Sequence, residues 1–420
     1  MLFSSNQTQP VELIVVGGGP AGFMCAIKAA EMGLTKVFLL EASAKTLEKV
    51  RISGGGRCNV TNACWDPNDL VTYYPRGRLP LLGAFSRFAT GDVVSWFAEK
   101  GLNLVTESDG RMFPISNSSS DVVDCLRKAA DISGVTSFTN CAVCKIDYLE
   151  NNNFRIWFKN SPPIETKKVL LATGGHPTGR KLASILGHSI INPVPSLFSL
   201  TSKASFLNTC SGISLNDVRL KLFVGDKLFE ESGRLLITHW GFSGPAILRL
   251  SAFAAREMNR KKYQARLSVN WINSDYILTG DLLKKYRYLA SRKQIGNASP
   301  FPSLPKRFWL IILKELEIDS SLRWSKLSSK YEKKLLNMLI SNEFDICGKG
   351  PFGEEFVTAG GVELSQVDIA TMESRLHPGL YFAGEILDID GVTGGFNFQH
   401  CWTSGWLAGK AIANSLNTYS

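Results

Sequence analysis

Apolar residues in this chain fall into short runs that end at glycine turns or acids. Residues 11–16, Val-Glu-Leu-Ile-Val-Val, form a β-type run that delivers the chain into Gly17-Gly-Gly19-Pro20-Ala21-Gly22, where helical spacing takes over. A second run, Lys36-Val-Phe-Leu-Leu, ends in Glu41, nineteen residues after Gly22. Strand, glycine turn, helix, strand and terminal acid are the parts of a dinucleotide-binding βαβ unit. Helices are predicted near 80–100 and 118–133. Alternating runs at 135–148, 153–160 and 164–172 predict a β-meander whose last strand ends in Ala172-Thr173-Gly174. Residues 380–385, Leu-Tyr-Phe-Ala-Gly384-Glu385, predict another strand, and an apolar helix at roughly 398–416 closes the pattern.

Between these parts the pattern changes. Asn192-Pro-Val-Pro-Ser196 reads as a break, because two prolines restrict themselves and their neighbours. Short strands at 198–206, 217–224, 227–230 and 234–238, a helix from about 244 and a strand at 264–270 follow. From 275 to 343 the spacing is helical, with a Pro/Ser-rich joint at 299–305, and strand-like runs resume near 355. The expected organisation is a Rossmann-like α/β domain, parallel sheet plus β-meander, built from 11–192 and 354–418. Inserted into it is a substrate-side lobe at 193–353, β-rich over 193–272 and helical and basic over 273–345.

Each glycine of the first turn has a physical task. Gly17 permits the tight turn, Gly19 lets backbone N–H groups approach a pyrophosphate, and Gly22 lets the helix pack on the strand. Glu41 is placed to accept hydrogen bonds from an adenosine ribose and disfavours a 2′-phosphate. After the second strand comes Ser53-Gly54-Gly55-Gly56-Arg57-Cys58-Asn59. The three glycines suit an extended loop lying along the phosphate or flat ring of a dinucleotide cofactor, and Arg57 suits neutralising phosphate. Cys58 is a catalytic candidate as a thiolate beside a redox cofactor, against the commoner fate of a small buried thiol. The Gly348-Lys-Gly350-Pro-Phe-Gly353 repeat of the glycine motif follows a helical region rather than a strand, so it reads as a decoy. Cys141-Ala-Val-Cys144 lies in a strand-like run with no second pair, so no metal site is expected.

An N-terminal βαβ unit, a mid-chain Ala-Thr-Gly strand and a C-terminal strand, glycine, acid and helix resemble the two-dinucleotide-binding-domain flavoproteins. That resemblance selects FAD. It also implies cofactor roles for Thr173, Gly174, Gly384 and Glu385, places Val143 against adenine, and points the last helix, with Gly394, Gly395, Phe396 and Asn397, at the flavin pyrimidine. Four stretches carry a closer likeness. They are the glycine run at 53–62, Ile237-Thr-His239-Trp-Gly-Phe-Ser-Gly-Pro-Ala-Ile-Leu248, Val357-Thr-Ala-Gly-Gly-Val362, and residues 383–399 with Gly394-Gly-Phe-Asn397. In order and spacing they resemble the BaiN/aminoacetone-oxidase family of FAD-dependent oxidoreductases. Its activities include reduction of carbon–carbon double bonds, amine oxidation and dihydrouridine formation in ribosomal RNA. Where that family has Gly-Arg-Lys, this chain has Leu47, Glu48 and Lys49, so only Lys49 matches; His400 and Cys401 also stand where small or aromatic residues are common.

Composition adds one feature. The 420-residue chain carries a net charge of +10. Between Arg256 and Lys334 there are eighteen Lys and Arg against seven Asp and Glu, a net +11, so the remainder nets −1. Tyr263, Trp271, Tyr286, Tyr288, Trp309, Trp324 and Tyr331 interleave with these charges, a mixture suited to phosphate neutralisation and base stacking, and hence to structured RNA on 256–334. A solvated helical face is the plainer alternative. His239, beside a glycine-rich turn, is the candidate proton donor. No second nucleotide-binding unit is evident, so NADH or NADPH is expected as a transient reductant. Nine scattered cysteines, a lead (residues 1–10) without the features of a signal peptide, and no run near ~20 apolar residues suit a cytoplasmic enzyme away from membranes. The rival readings are an amine oxidase, a small-molecule enone reductase, and a flavin-carrying RNA-binding or sensing protein.

Overall fold

The computed structural model describes residues 11–350 and 357–417. The chain forms two compact units, one running to Pro193 and resuming at Thr358, the other Val194–Val357. The first holds five parallel strands in the order Leu380–Phe382, Ile164–Leu171, Val11–Val16, Val37–Leu40 and Thr136–Phe138. Strands covered on both faces must be apolar throughout, and Leu13, Ile14 and Val15 have no exposed surface. Val143–Tyr148 and Phe154–Phe158 pair antiparallel and lead into Ile164–Leu171.

Helix Pro20–Glu31 follows the first strand, and helix Phe396–Asn417 packs along it. A Cβ at Gly405 would strike the carbonyl of Ala21, and one at Gly409 that of Cys25. Two glycines four residues apart on one face thus let the two backbones touch, which fixes the final helix against the glycine turn.

Local pattern misplaces several boundaries. The run at 135–148 is two elements, a parallel strand and the first meander strand. The chain turns at Asn140 in the left-handed region (φ 53°) so that the N–H groups of Asn140 and Cys141 reach the carbonyls of Ser43 and Glu41. Residues 192–196 hold the division between the two units, at Pro193/Val194, but they do not interrupt the local backbone. They lie in strand Ile190–Ser196, since proline removes one donor but keeps an extended backbone. The helical stretch near 80–100 is two helices, Arg78–Phe85 and Thr90–Glu99, and the 227–230 and 234–238 runs are one strand, Lys227–Thr238. Strand structure resumes at Asn342–Ile346, well before 355.

The second unit holds an antiparallel sheet ordered Asn342–Ile346, Ala265–Asn270, Ser214–Val224, Lys227–Thr238, Gly241–Ser243, Leu200–Thr201 and Gly348–Lys349. Helix Pro245–Arg260 packs on it. Helices Tyr276–Leu289, Lys306–Glu315 and Ser329–Ile340 close around Leu283, Phe308, Trp309, Leu313, Trp324 and Leu335, all with no more than 1% exposure. No helix of the described residues is long and apolar enough to cross a membrane.

Candidate functional site

The glycine turn is built as a cradle. Gly17 sits at φ +117°, where a side chain would meet the Ala172 carbonyl, and a Cβ on Gly22 would meet the Gly17 carbonyl. Gly19 is different: a Cβ there meets nothing within 4 Å among the described residues. It caps Pro20–Glu31 without any side-chain hydrogen bond, and that first turn, with Pro20, Ala21 and Gly22, contains no acid. Unclaimed amides and the positive end of the helix dipole therefore face open space, which is what a pyrophosphate requires. Glu41 accepts from the Gly18 N–H at 2.9 Å and the Ser43 N–H at 2.8 Å, one on each carboxylate oxygen. Each oxygen keeps a lone pair for ribose hydroxyls. Val143 is buried two residues beyond Cys141, whose N–H is bonded to the Glu41 carbonyl at 2.8 Å. The observed cradle fits a dinucleotide.

The glycine run at 54–56 is not the expected extended loop. It ends a helical segment, Glu48–Gly56, and Gly54, Gly55 and Gly56 take φ of 57°, 68° and 86° in succession. Left-handed residues in series turn amides outward, and a Cβ at Gly55 or Gly56 meets nothing. Arg57 does not present a free charge. Its guanidinium pairs with Glu107, donates to Asn117 Oδ1 at 2.8 and 3.0 Å, and covers the Phe113 ring at 3.9 Å. Cys58 is fully buried, and burial pushes its thiol up to about 12. At neutral pH the group is a thiol, which opposes a thiolate role.

Lys49 reaches across the sequence to Glu385, Nζ to Oε2, at 2.7 Å. The other Glu385 oxygen accepts the Thr358 N–H at 3.1 Å, and Gly174 lies over the pair. Thr173 Oγ1 is buried with no partner among the described residues, beside Gly179, where a side chain would collide with it. Gly384 (φ 74°) donates to Ser404 Oγ at 2.9 Å. Gly395 has no room for a side chain because the Thr61 carbonyl fills it. Asn62 donates to the Gly394 carbonyl at 3.0 Å, Asn397 exchanges two 2.8 Å bonds with the Gly391 backbone, and Tyr74 donates to the Phe396 carbonyl at 2.6 Å. His400 is buried behind this turn, 3.3 Å from the Gly384 carbonyl, and burial lowers it to about 4. The structure therefore brings Lys49, Gly174 and Glu385 together, and ties Gly394–Asn397 to the 59–62 segment. Thr358, Asn62 and the Gly405/Gly409 pair were not singled out from sequence. Thr358 and Asn62 lie inside stretches already quoted, 357–362 and 53–62, and the glycine pair carried a signal in its four-residue spacing.

The second unit places His239, exposed, with Trp240 at the two-residue hairpin turn joining Thr238 to Gly241. The basic segment lies on its helical part. Lys285, Arg292, Lys293, Lys306, Lys326 and Lys330 are exposed and have no ion pair among the described residues, whereas Lys284 pairs with Asp281 and Arg287 with Glu332, each at 3.2 Å. A surface depression of 510 Å³ is lined by Lys306, Arg307 and Lys314 with Thr209, Leu310 and Ile311, and by no acid. The aromatic half of the expectation needs correcting. Trp271, Trp309 and Trp324 are core residues, the last two donating to the Ile295 and Ala298 carbonyls at 2.8 Å, because an indole this large is worth more buried than stacked on a ligand. Tyr288, 84% exposed, is left for stacking, as is Tyr276 on the same helix, 47% exposed. Gly348–Lys349 is a short strand paired with Leu200–Thr201, not a nucleotide turn; Gly353 lies outside the described residues. Among the described residues no cluster of His, Cys, Asp or Glu suits a metal.

A family model described as HI0933-like protein Rossmann domain matches residues 11–411. The chain is 29% identical over 426 residues to a ribosomal RNA dihydrouridine synthase of Haemophilus influenzae, covering 97% of this chain and 99% of that one. It is 27% identical over 419 residues to a 3-dehydro-bile acid delta(4,6)-reductase of Clostridium scindens, covering 95% and 98%. Among solved structures, 3-ketosteroid delta1-dehydrogenase from Sterolibacterium denitrificans shares the fold, with a TM-score of 0.53 at 13% identity over 97% of this chain and 100% of that one.

Proposed function

The chain belongs to the HI0933-like Rossmann-domain family of FAD-type oxidoreductases, and we propose that this member reduces an activated C=C bond, that of uridine in ribosomal RNA, to give dihydrouridine. The observation that carries the RNA reading is the segregation of charge: +11 between Arg256 and Lys334 in a chain otherwise near neutral. A small enone or amine has no use for it. A polyanion does, since each phosphate neutralised releases counterions. The relative named as a dihydrouridine synthase supports the same substrate class.

In this reading Gly17, Gly19 and Gly22, Glu41, Gly54–Gly56, the Lys49–Glu385 pair and Gly394–Asn397 hold FAD, with Val143 and Thr173–Gly174 lining it. When bound, FAD supplies hydride from N5 to the double bond, after reduction by NADH or NADPH. The chain's own residues do the rest. Backbone N–H groups of Ala21 and Gly22 and of Gly54–Gly56 meet phosphate, and the 194–357 unit is the substrate-side lobe whose cations meet RNA. His239, exposed at its hairpin tip, delivers the proton to the second carbon. The reaction belongs to the cytoplasm, where ribosomal RNA and nicotinamide reductants coexist.

The test is anaerobic reduction of the holoenzyme by NADH and NADPH, followed by separate addition of ribosomal RNA, a conjugated enone, and an amine with O₂. Re-oxidation by RNA with dihydrouridine formed is expected. Re-oxidation by the enone alone, or turnover of the amine alone, overturns the RNA reading.

A further inference from the structure

The first unit carries a surface hollow that no cofactor motif accounts for. Its volume is 480 Å³, and its lining includes Asn62, Cys64, Trp65, Asp66, Asp69 and Tyr73. Trp65 is 57% exposed and Tyr73 37%. An isolated exposed aromatic is ordinary; two lining one hollow beside a candidate cofactor turn are not. Tyr73 is held rigidly. It stacks on Phe396 with centroids 4.3 Å apart and planes 9° from parallel, while Tyr74 fixes the Phe396 carbonyl. Phe396 opens the final helix directly after Gly394–Gly395, and Asn62 is bonded to the Gly394 carbonyl. The hollow is therefore tied through two separate contacts to the turn assigned above to the flavin pyrimidine.

Its chemistry is specific. The rings offer flat faces for stacking. Asn62, its amide nitrogen committed to Gly394, leaves a carbonyl oxygen as acceptor, and the exposed Asp69 carboxylate has no hydrogen-bond partner among the described residues. Asp66 accepts from the Asn68 N–H at 2.8 Å. Acceptors of this kind seek an N–H donor. Two carboxylates repel phosphate, and they would strip water at a cost against the flank of an apolar polycycle. A flat heterocycle with a ring N–H offers faces to the two rings and a donor to one of these acceptors, provided its phosphates stay outside.

We propose that this hollow receives the base to be reduced: a uracil ring swung out of RNA and stacked against Trp65 and Tyr73, its single ring N–H donating to the Asp69 carboxylate. This rests on the uridine reading, and deepens it by separating two tasks. The basic lobe binds the RNA, and the acidic, aromatic hollow selects the base. Swinging a base out of its stack is the general solution for enzymes that act on one.

The test uses holoenzyme and ribosomal RNA transcripts carrying 5-iodouridine, irradiated and digested with trypsin. The expected crosslink lies in the peptide Cys58–Arg76, which has no internal cleavage site and contains both rings. Trp65→Ala should lower that crosslink and kcat/KM for dihydrouridine formation by about 10- to 100-fold, the worth of one stacked base. Trp65→Phe should restore most of both, and FAD content and RNA affinity should change less than about twofold. Tyr73→Ala serves as a second variant. Crosslinks confined to 194–357, with wild-type kcat/KM in Trp65→Ala, overturn the hollow and leave the uridine reading standing. A wild-type enzyme that forms no dihydrouridine overturns both.

Discussion

The two units meet their ligands by opposite means. In the first, the positions that matter are mostly backbone. Gly17 and Gly22 exist to let chain approach chain, Gly19 and Gly54–Gly56 expose amides, and the acid Glu41 is pinned at both oxygens. In the second, the candidate contacts are long, exposed cations on helices and the turns between them, around a well-filled core. The difference teaches where each function is vulnerable. A backbone site fails when a single Cβ is added, whereas a surface field fails only by accumulation.

The sharpest way to break the comparison is at the glycines. Gly19→Val fills open space at a residue with φ −90°, so the variant should fold with an unchanged Tm yet carry no FAD by absorbance. Gly22→Val, driven into the Gly17 carbonyl, should instead fail to fold. Full FAD occupancy in Gly19→Val would remove the cradle from the cofactor site.

His239 is the one side chain of the second unit asked to do chemistry. His239→Ala should slow re-oxidation by substrate by roughly 10²-fold, the lower end for a general acid, and leave reduction by NADH or NADPH unchanged. Its exposure predicts a stability change within about 0.5 kcal/mol. Equal loss in both half-reactions would make it structural.

Accumulation is tested by reversing Lys285, Arg292, Lys293 and Lys306 to Glu together. RNA affinity should fall by about 10- to 100-fold, and the slope of log affinity against log salt should drop by about 3, at ~0.7–0.9 per contact. FAD content should stay constant. Reversing Lys284 or Arg287 should do less, because each is already paired.

Acid separates the units more gently. Burial lowers His188 and His400, both in the first unit, from an ordinary 6.5 to about 4. The unfolded chain takes up these protons below about pH 6.5 and the folded one only near 4, so stability is intact above 6.5 and falls as pH drops from 6.5 to 4. Each pKa unit corresponds to about 1.4 kcal/mol. The histidine of the second unit, His239, is exposed. Hydrogen exchange at pH 5 should therefore show the first unit loosening before the second; the reverse order would contradict the buried, neutral histidines.

The smallest effect is chemical. At pH 7.5, iodoacetamide should label exposed Cys144 and leave Cys58 untouched, since burial holds Cys58 as a thiol at about 12. Rapid labelling of Cys58 would revive its thiolate role.

Much of the first unit was legible along the chain. Continuous apolar runs mark strands covered on both faces, and Gly17, Gly22 and Glu41 sit at spacings that only a βαβ turn explains. The boundary errors share one cause. Asn140 turns the chain where its amide can reach Ser43, and Pro193 and Pro195 stay in a strand, because long-range pairing overrides local preference. The Trp309 and Trp324 rings show the same limit. Interleaved with lysines they read as a stacking surface, yet their N–H groups found carbonyls inside the core.

By itself, then, the sequence determined what is local or summed: the glycine turn and its acid, the periods of strand and helix, and the basic stretch whose net charge no fold can alter. The tertiary structure decided which of those groups stay available. It matched Arg57 with Glu107 and Lys49 with Glu385, 336 residues apart, left Lys285 and Lys306 without an ion pair among the described residues, and opened a hollow between Trp65 and Tyr73 beside a turn more than 300 residues further on. Pairing and burial depend on which distant residues come within a few ångströms, and spacing along the chain does not encode that distance.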